Sequence, residues 1–167
     1  VLDMSAFAKC RVSGPGAEAW LDSLLANRMP KKTGRVALCH LLTKYGGVRS
    51  EFTVYKLGEN DYYLVSAGAF ERHDHDYLKK ALPDDRSVTM TPMTAAWGVL
   101  VLAGPKSRAV LEKLTGTDLS NGSFPWLSGQ HISVGRASAL AIRVNFNCGD
   151  VGRLWNFDSR LELELVG

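Results

Sequence analysis

The segment "GRVALCHLLTKYGGVRSEFTVYKL", residues 34–57, decides the prediction of the fold. Apolar and β-branched residues stand on both sides of a Gly-Gly pair, a pattern typical of two strands joined by a tight turn. Because so short a connection cannot cross over a sheet, the two strands must run antiparallel. The segment therefore predicts a β-hairpin whose turn contains Gly46 and Gly47.

Short strands and helices are also predicted on both sides of the hairpin. A strand at residues 6–13 precedes a Gly-Pro turn and a helix with apolar residues at helical spacing. These residues are Ala17, Trp20, Leu21, Leu24 and Leu25. After the hairpin we expect a strand in "YYLVSA", a helix that ends at Pro83, and a strand that Pro92 confines to a sheet edge.

The second part of the chain repeats the order of the first. "VLVLAGPKSRAVLEKLTG" predicts a strand, a Gly-Pro turn and a helix with Val110, Leu111 and Leu114 on one side, as in "AKCRVSGPGAEAWLDSLLAN". Strands and helices in mixed order with hairpin-length turns favour an α+β fold of antiparallel sheets and packed helices. We expect two related subdomains, residues 1–85 and a ferredoxin-like 86–146, followed by a divergent or truncated tail at 147–167.

The composition excludes several classes of function. A net charge of +3 with scattered Lys and Arg disfavours a nucleic-acid partner. Three cysteines without a CxxC pair argue against a zinc site or a disulfide framework, and favour the cytoplasm or the mitochondrial matrix. No apolar run reaches the roughly 20 residues that span a bilayer, so we expect no membrane partner. The start without Met suggests the interior of a longer protein or a processed form.

Glu51 is the carboxylate that draws attention in the hairpin. Strand alternation places Phe52 and Val54 on one face and Glu51, Thr53 and Tyr55 on the other. In one interpretation the second face meets water. In the other it lines a cavity, where a partly desolvated Glu51 accepts a proton from a nitrogen nucleophile. Alternation alone does not separate the two interpretations.

The histidines of "RHDHD", residues 72–76, suggest a metal site only weakly. His73 and His75 lie two positions apart on a predicted helix and so point in different directions. We therefore expect a solvated helix segment and no metal, with a metal hydrolase kept as an alternative.

Several segments, taken in order, resemble the tetrahydrofolate-binding domain of the glycine cleavage aminomethyltransferase (T-protein) family, and most of all that of dimethylglycine and sarcosine dehydrogenases. The resemblance covers about residues 1–146. The segments are "DMSAFAKCRVSGPGAEAWLDSLLAN", "KKTGRVALCHLLTKYGGVRSEFTVYKL", "YYLVSAG", "HDYL", "LAGPKSRAVLEKLTGTDLSN" and "IRVNF".

The resemblance implies a domain that binds tetrahydrofolate and forms methylene-tetrahydrofolate from a one-carbon unit held on an amine. It implies that Glu51, where the family usually has Asp, is the catalytic carboxylate beside the pteridine. It further implies that Tyr55 lines the folate pocket, that Ser66 stands where the family often has Asn, and that Asp150 answers to a Glu that contacts the pterin.

The resemblance also implies partners. The expected ligands are a folate and an amine substrate, with FAD bound only in a separate dehydrogenase domain or subunit, since no GxGxxG motif is present here. The alternative is a truncated, non-catalytic relative that serves as a binding or subunit-assembly module. Apolar surface left uncovered in such a relative would favour a homodimer.

Overall fold

The computed structural model describes residues 1–144 with their side chains, and residues 160–166 as backbone. The chain forms two compact units. The six-stranded unit comprises Ala6–Ala96, and the five-stranded unit comprises Val1–Ser5 together with Trp97–Gly167.

The strands and helices are short and follow one another closely. In chain order they are β1 (Leu2–Asp3), β2 (Ala8–Ser13), α1 (Ala17–Leu24), β3 (Leu25–Ala26), β4 (Val36–Leu42), β5 (Val48–Gly58), β6 (Asp61–Ser66), α2 (Glu71–Lys80), β7 (Thr89–Pro92), β8 (Trp97–Leu102), α3 (Ser107–Leu111), β9 (Ser128–Val134), β10 (Ala137–Val144) and β11 (Arg160–Val166).

The six-stranded unit contains the predicted hairpin. Its sheet has the order β3-β4-β5-β6-β2-β7, with all pairs antiparallel. Strands β4 and β5 form the hairpin, and the backbone N–H of Gly46, at a φ of +82°, donates to the carbonyl of Thr43. Strand β7, which contains Pro92, lies at the sheet edge as predicted.

Both helices of this unit pack on one face of its sheet. Ala17, Trp20 and Leu21 of α1 and Leu78 of α2 belong to a single buried cluster with sheet residues such as Phe52. The indole Nε1 of Trp20 donates to the carbonyl of Ala81 at 2.7 Å, which ties α1 to the end of α2. The helical spacing in the sequence therefore identified the buried face of α1 correctly.

The five-stranded unit has the sheet order β1-β8-β11-β10-β9, again with all pairs antiparallel. Leu111 of α3 is fully buried, but Val110 and Leu114 are exposed. The predicted helix side formed by Val110, Leu111 and Leu114 is thus buried only at Leu111, and Leu114 lies beyond the end of α3 at Leu111. Beyond it the N–H groups of Leu114 and Thr115 both donate to the Leu111 carbonyl.

The antiparallel sheets with packed helices confirm the predicted α+β class. In the part of the chain that the structure describes, no helix is long and apolar enough to cross a bilayer.

Candidate functional site

Glu51 lies in the first half of β5 and points to solvent. Its side chain is 76% exposed, and its Oε1 lies 3.0 Å from Nε2 of His40. The two residues face each other because the register of β4 and β5 pairs His40 with Glu51. An accessible carboxylate beside an imidazole is able to accept a proton and to pass it on. The role predicted for Glu51 stays a prediction.

Tyr55 lies on the same face of β5 as Glu51 but is only 4% exposed. Thr53, between them, is also buried, so the interpretation in which this whole face meets water is wrong. Burial raises the pKa of the Tyr55 phenol, which keeps it a neutral hydroxyl. Tyr55 is four steps along the extended strand from Glu51, a distance of about 13 Å, so a ligand that met both would extend along the strand.

Ser66 lies on the opposite face of the sheet. The register pairs Thr53 with Val65, which places Ser66 with Phe52 and Val54 on the face covered by the helices. Its Oγ donates to Oδ2 of Asp74 at 3.2 Å. The structure therefore brings Glu51 and Tyr55 to one face and Ser66 to the other. Asp150, the fourth residue of the predicted site, lies outside the described residues.

Asp74 is a buried carboxylate, only 3% exposed. Its Oδ2 accepts a 2.6 Å hydrogen bond from Ser50 besides the one from Ser66, and its Oδ1 lies 3.4 Å from Nδ1 of His73. The expectation of a solvated helix over residues 72–76 is therefore wrong at Asp74. Helical spacing places Asp74 one turn before the apolar Leu78, on the same side of α2, and this signal for burial was missed in the sequence.

A small cavity lies between α2 and the sheet, beside Asp74. Cys10, Ser66 and Asp74 line it together with apolar side chains that include Phe52 and Met90. Its volume of about 30 Å³ is enough for one or two water molecules but not for a folate. Burial, and to a lesser degree the charge of Asp74, raises the pKa of the Cys10 thiol to about 12, so this thiol is no nucleophile.

A second polar cluster joins α1 to the sheet. The Nζ of Lys56, a residue only 7% exposed, donates to Glu18 Oε2 at 2.8 Å and to the Tyr62 hydroxyl at 2.9 Å. Tyr62 donates to the same Glu18 oxygen at 2.6 Å, and Lys31 binds Oε1. The signal for this cluster was visible in the sequence, since alternation places Lys56 on the core face with Phe52, where a charge needs a partner.

Ionisation in this cluster follows from its contacts. Hydrogen bonds from Lys31, then Lys56 and Tyr62, lower the pKa of Glu18 to about 2. Burial alone lowers the pKa of Lys56, but its hydrogen bonds to Glu18 and Tyr62 outweigh burial and raise the pKa overall. The cluster is thus a charged pair at neutral pH, and its contacts serve to join α1 to β5 and β6.

The histidines of α2 are engaged with neighbouring side chains. Nη2 of Arg49 lies 2.8 Å from Nε2 of His73, whose other ring nitrogen faces Asp74. Within residues 1–144, the structure holds no group of three or more His, Cys, Asp or Glu side chains arranged to bind a metal ion.

Known proteins with similar sequences cover nearly the whole of this chain. Mouse (Mus musculus) "Dimethylglycine dehydrogenase, mitochondrial" is 33% identical over 163 residues, which cover 97% of this chain and 18% of that protein. Mouse "Pyruvate dehydrogenase phosphatase regulatory subunit, mitochondrial" is 27% identical over 154 residues, 91% of this chain and 18% of that protein. This chain thus spans about a fifth of the length of these relatives.

A solved structure has the same fold. The glycine cleavage system aminomethyltransferase T from Bartonella henselae matches with a TM-score of 0.77 over 98% of this chain and 41% of that one, at 19% identity. Finally, residues 1–152 of the 167-residue chain match the family model described as the GCVT N-terminal domain. Since that match takes in both units of the fold, the chain belongs to the GCVT N-terminal domain family.

Proposed function

We propose that this chain is the folate-dependent part of an aminomethyl-transfer enzyme of the dimethylglycine or sarcosine dehydrogenase type. The observation that carries the proposal is the family match over residues 1–152, supported by the 33% identity to dimethylglycine dehydrogenase over nearly the whole chain. Its product is methylene-tetrahydrofolate. Because the relatives are about five times as long, we place the FAD chemistry in a further domain or subunit.

The described residues fit a folate at one face of the sheet. The accessible carboxylate of Glu51 suits the N–H groups of a pteridine, and the neutral hydroxyl of Tyr55 is able to donate or accept a hydrogen bond. The Ser66 hydroxyl is able only to accept a hydrogen bond from a ligand, because it already donates its proton in the hydrogen bond to Asp74. Glu51 and Tyr55 would therefore hold the cofactor, while Ser66 faces the small cavity on the other side of the sheet.

The chemistry assigned to the chain is proton transfer and charge stabilisation. Tetrahydrofolate supplies the nitrogens that take up the one-carbon unit. Glu51 accepts the proton released at the attacking nitrogen, or stabilises the cationic amine before attack. Tyr55, held by its burial in the sheet, orients the ligand along β5. No step in this scheme requires a metal ion.

We expect tetrahydrofolate to bind the purified chain and Glu51→Ala to weaken binding by at least about 10-fold, because a charge-assisted hydrogen bond contributes about 1.5–3 kcal/mol. Isothermal titration calorimetry under anaerobic conditions measures both dissociation constants. Glu59→Ala is the matched control, since it removes an exposed carboxylate just beyond the same strand. A wild-type chain that gives no binding heat contradicts the proposal. Equal losses in both variants contradict the role of Glu51.

The second candidate is a non-catalytic binding or subunit-assembly module. The relationship to a protein named as a regulatory subunit favours it, as does the solvent exposure of Glu51. Sedimentation velocity distinguishes the two candidates when read with the titration. A dimer that binds no folate supports the module, and a monomer that binds folate supports the enzyme.

A further inference from the structure

The buried carboxylate on α2 has no role in the proposed chemistry. Glu71, Asp74, His75 and Leu78 lie at helical spacing i, i+3, i+4 and i+7, so one side of α2 presents three ionisable groups to the cavity beside the sheet. The side of a helix that packs on a sheet usually carries apolar side chains. A buried charge persists only when hydrogen bonds or an opposite charge compensate it, so the contacts of Asp74 must be specific.

These contacts join three elements at one oxygen. The hydroxyls of Ser50 on β5 and Ser66 at the end of β6 both donate to Oδ2 of Asp74 on α2, at 2.6 and 3.2 Å. Ser50 directly precedes Glu51 in the strand. Asp74 therefore fixes the backbone next to the predicted catalytic carboxylate from the opposite side of the sheet.

A second connection leads from the same helix to the same strand. The guanidinium of Arg49 is able only to donate, so Nε2 of His73 accepts from it at 2.8 Å and the ring proton stands on Nδ1, facing Asp74. Arg49 also stacks over the ring of Tyr77, 4.4 Å from its centroid. Two consecutive residues of β5, Arg49 and Ser50, are thus held by α2.

We infer that Asp74 is a positioning residue of the site, which holds the Arg49–Glu51 backbone and Ser66 in place through the two serine hydroxyls. The inference rests on the proposed function in so far as Glu51 acts there. The hydrogen bond to Asp74 also determines whether the Ser66 hydroxyl donates to or accepts from a ligand. Since that hydroxyl donates its only proton to Asp74, any ligand group that meets Ser66 must itself bring an N–H or O–H donor.

Hydrogen exchange tests the structural part of the inference. In Asp74→Ala we expect the amides of residues 49–52 and 65–67 to exchange at least about 10-fold faster, while those of residues 36–39 change little. Asp74→Asn keeps an acceptor oxygen and should change exchange less than about 3-fold. Asp76→Asn, an exposed position on the same helix, is the control without effect. Unchanged exchange in Asp74→Ala, or a uniform increase over the whole sheet, overturns the inference.

Tetrahydrofolate titration tests the connection to Glu51. Positioning predicts that Asp74→Ala weakens binding about 5-fold in the wild-type chain and less than about 2-fold when Glu51→Ala is already present. Equal losses in both backgrounds overturn the connection. If the wild-type chain itself binds no folate, the proposed function fails and the exchange data alone decide the role of Asp74. Should Asp74→Ala not fold, Ser50→Ala breaks the 2.6 Å contact and must give the same local exchange pattern.

Discussion

Gly68→Ala is expected to lower the free energy of unfolding by about 3 kcal/mol or more, a large share of the stability of a typical domain. A Cβ at this position would stand 1.8 Å from the carbonyl oxygen of Ala6 and 2.9 Å from its carbonyl carbon. Both groups belong to the backbone and have no rotamer by which to move. Close by, the register of β2 and β6 pairs Ala8 with Ser66, so neither side of the contact yields without loss of that pairing.

Urea unfolding followed by circular dichroism measures this effect. Gly116→Ala serves as the matched control, because a Cβ there meets nothing within 4 Å, and its free energy of unfolding should change by about 0.5 kcal/mol or less. Equal midpoints for the two variants would show that the backbone of Ala6 yields more readily than the strand pairing suggests.

Glu18→Gln is expected to destabilise the chain by about 2 kcal/mol at pH 7, because it leaves the nearly buried ammonium of Lys56 without its carboxylate. We expect a smaller loss than for a fully buried ion pair, because solvent screens the partly exposed Glu18. The double variant Glu18→Gln with Lys56→Met should recover part of the loss, since it removes the charge and retains an apolar side chain of similar length.

The same variant should change how the free energy of unfolding decreases at acid pH. In the folded chain the pKa of Glu18 is about 2, below its ordinary value of 4.5. The contribution of this carboxylate is therefore fully present above pH 4.5 and is lost as the pH falls towards 2. Urea midpoints at pH 3, 5 and 7 should fall less steeply for Glu18→Gln than for the wild type. Glu59→Gln, at an exposed turn position, is the control. If the urea midpoints of all three proteins fall equally between pH 7 and pH 3, the prediction is contradicted.

Much of the fold could be predicted because it depends on local patterns. The Gly-Gly pair identified the β4–β5 hairpin, the spacing of Ala17, Trp20 and Leu21 identified the buried face of α1, and Pro92 identified an edge strand. In each case neighbouring residues determine the outcome. A turn needs residues that tolerate its backbone, an amphipathic helix buries its apolar side, and proline cannot donate in the middle of a sheet.

The candidate site could be predicted only in part. The resemblance singled out Glu51, Tyr55 and Ser66, and strand alternation correctly put Glu51 and Tyr55 on one face. The sequence did not reveal that Ser66 lies on the other face, because the register between β5 and β6 decides that. Nor did it reveal that His40 faces Glu51, since that contact depends on the register of the hairpin.

By itself the sequence indicated the family, the hairpin and the order of the main strands and helices from β2 to α3, because local patterns encode them. The tertiary structure alone decided two further burials: Thr53 and Tyr55 are covered, where alternation left two interpretations open, and Asp74 is enclosed although its segment is strongly charged. The physical reason is that periodicity determines which side chains share a face. What covers that face depends on contacts between residues far apart in the chain.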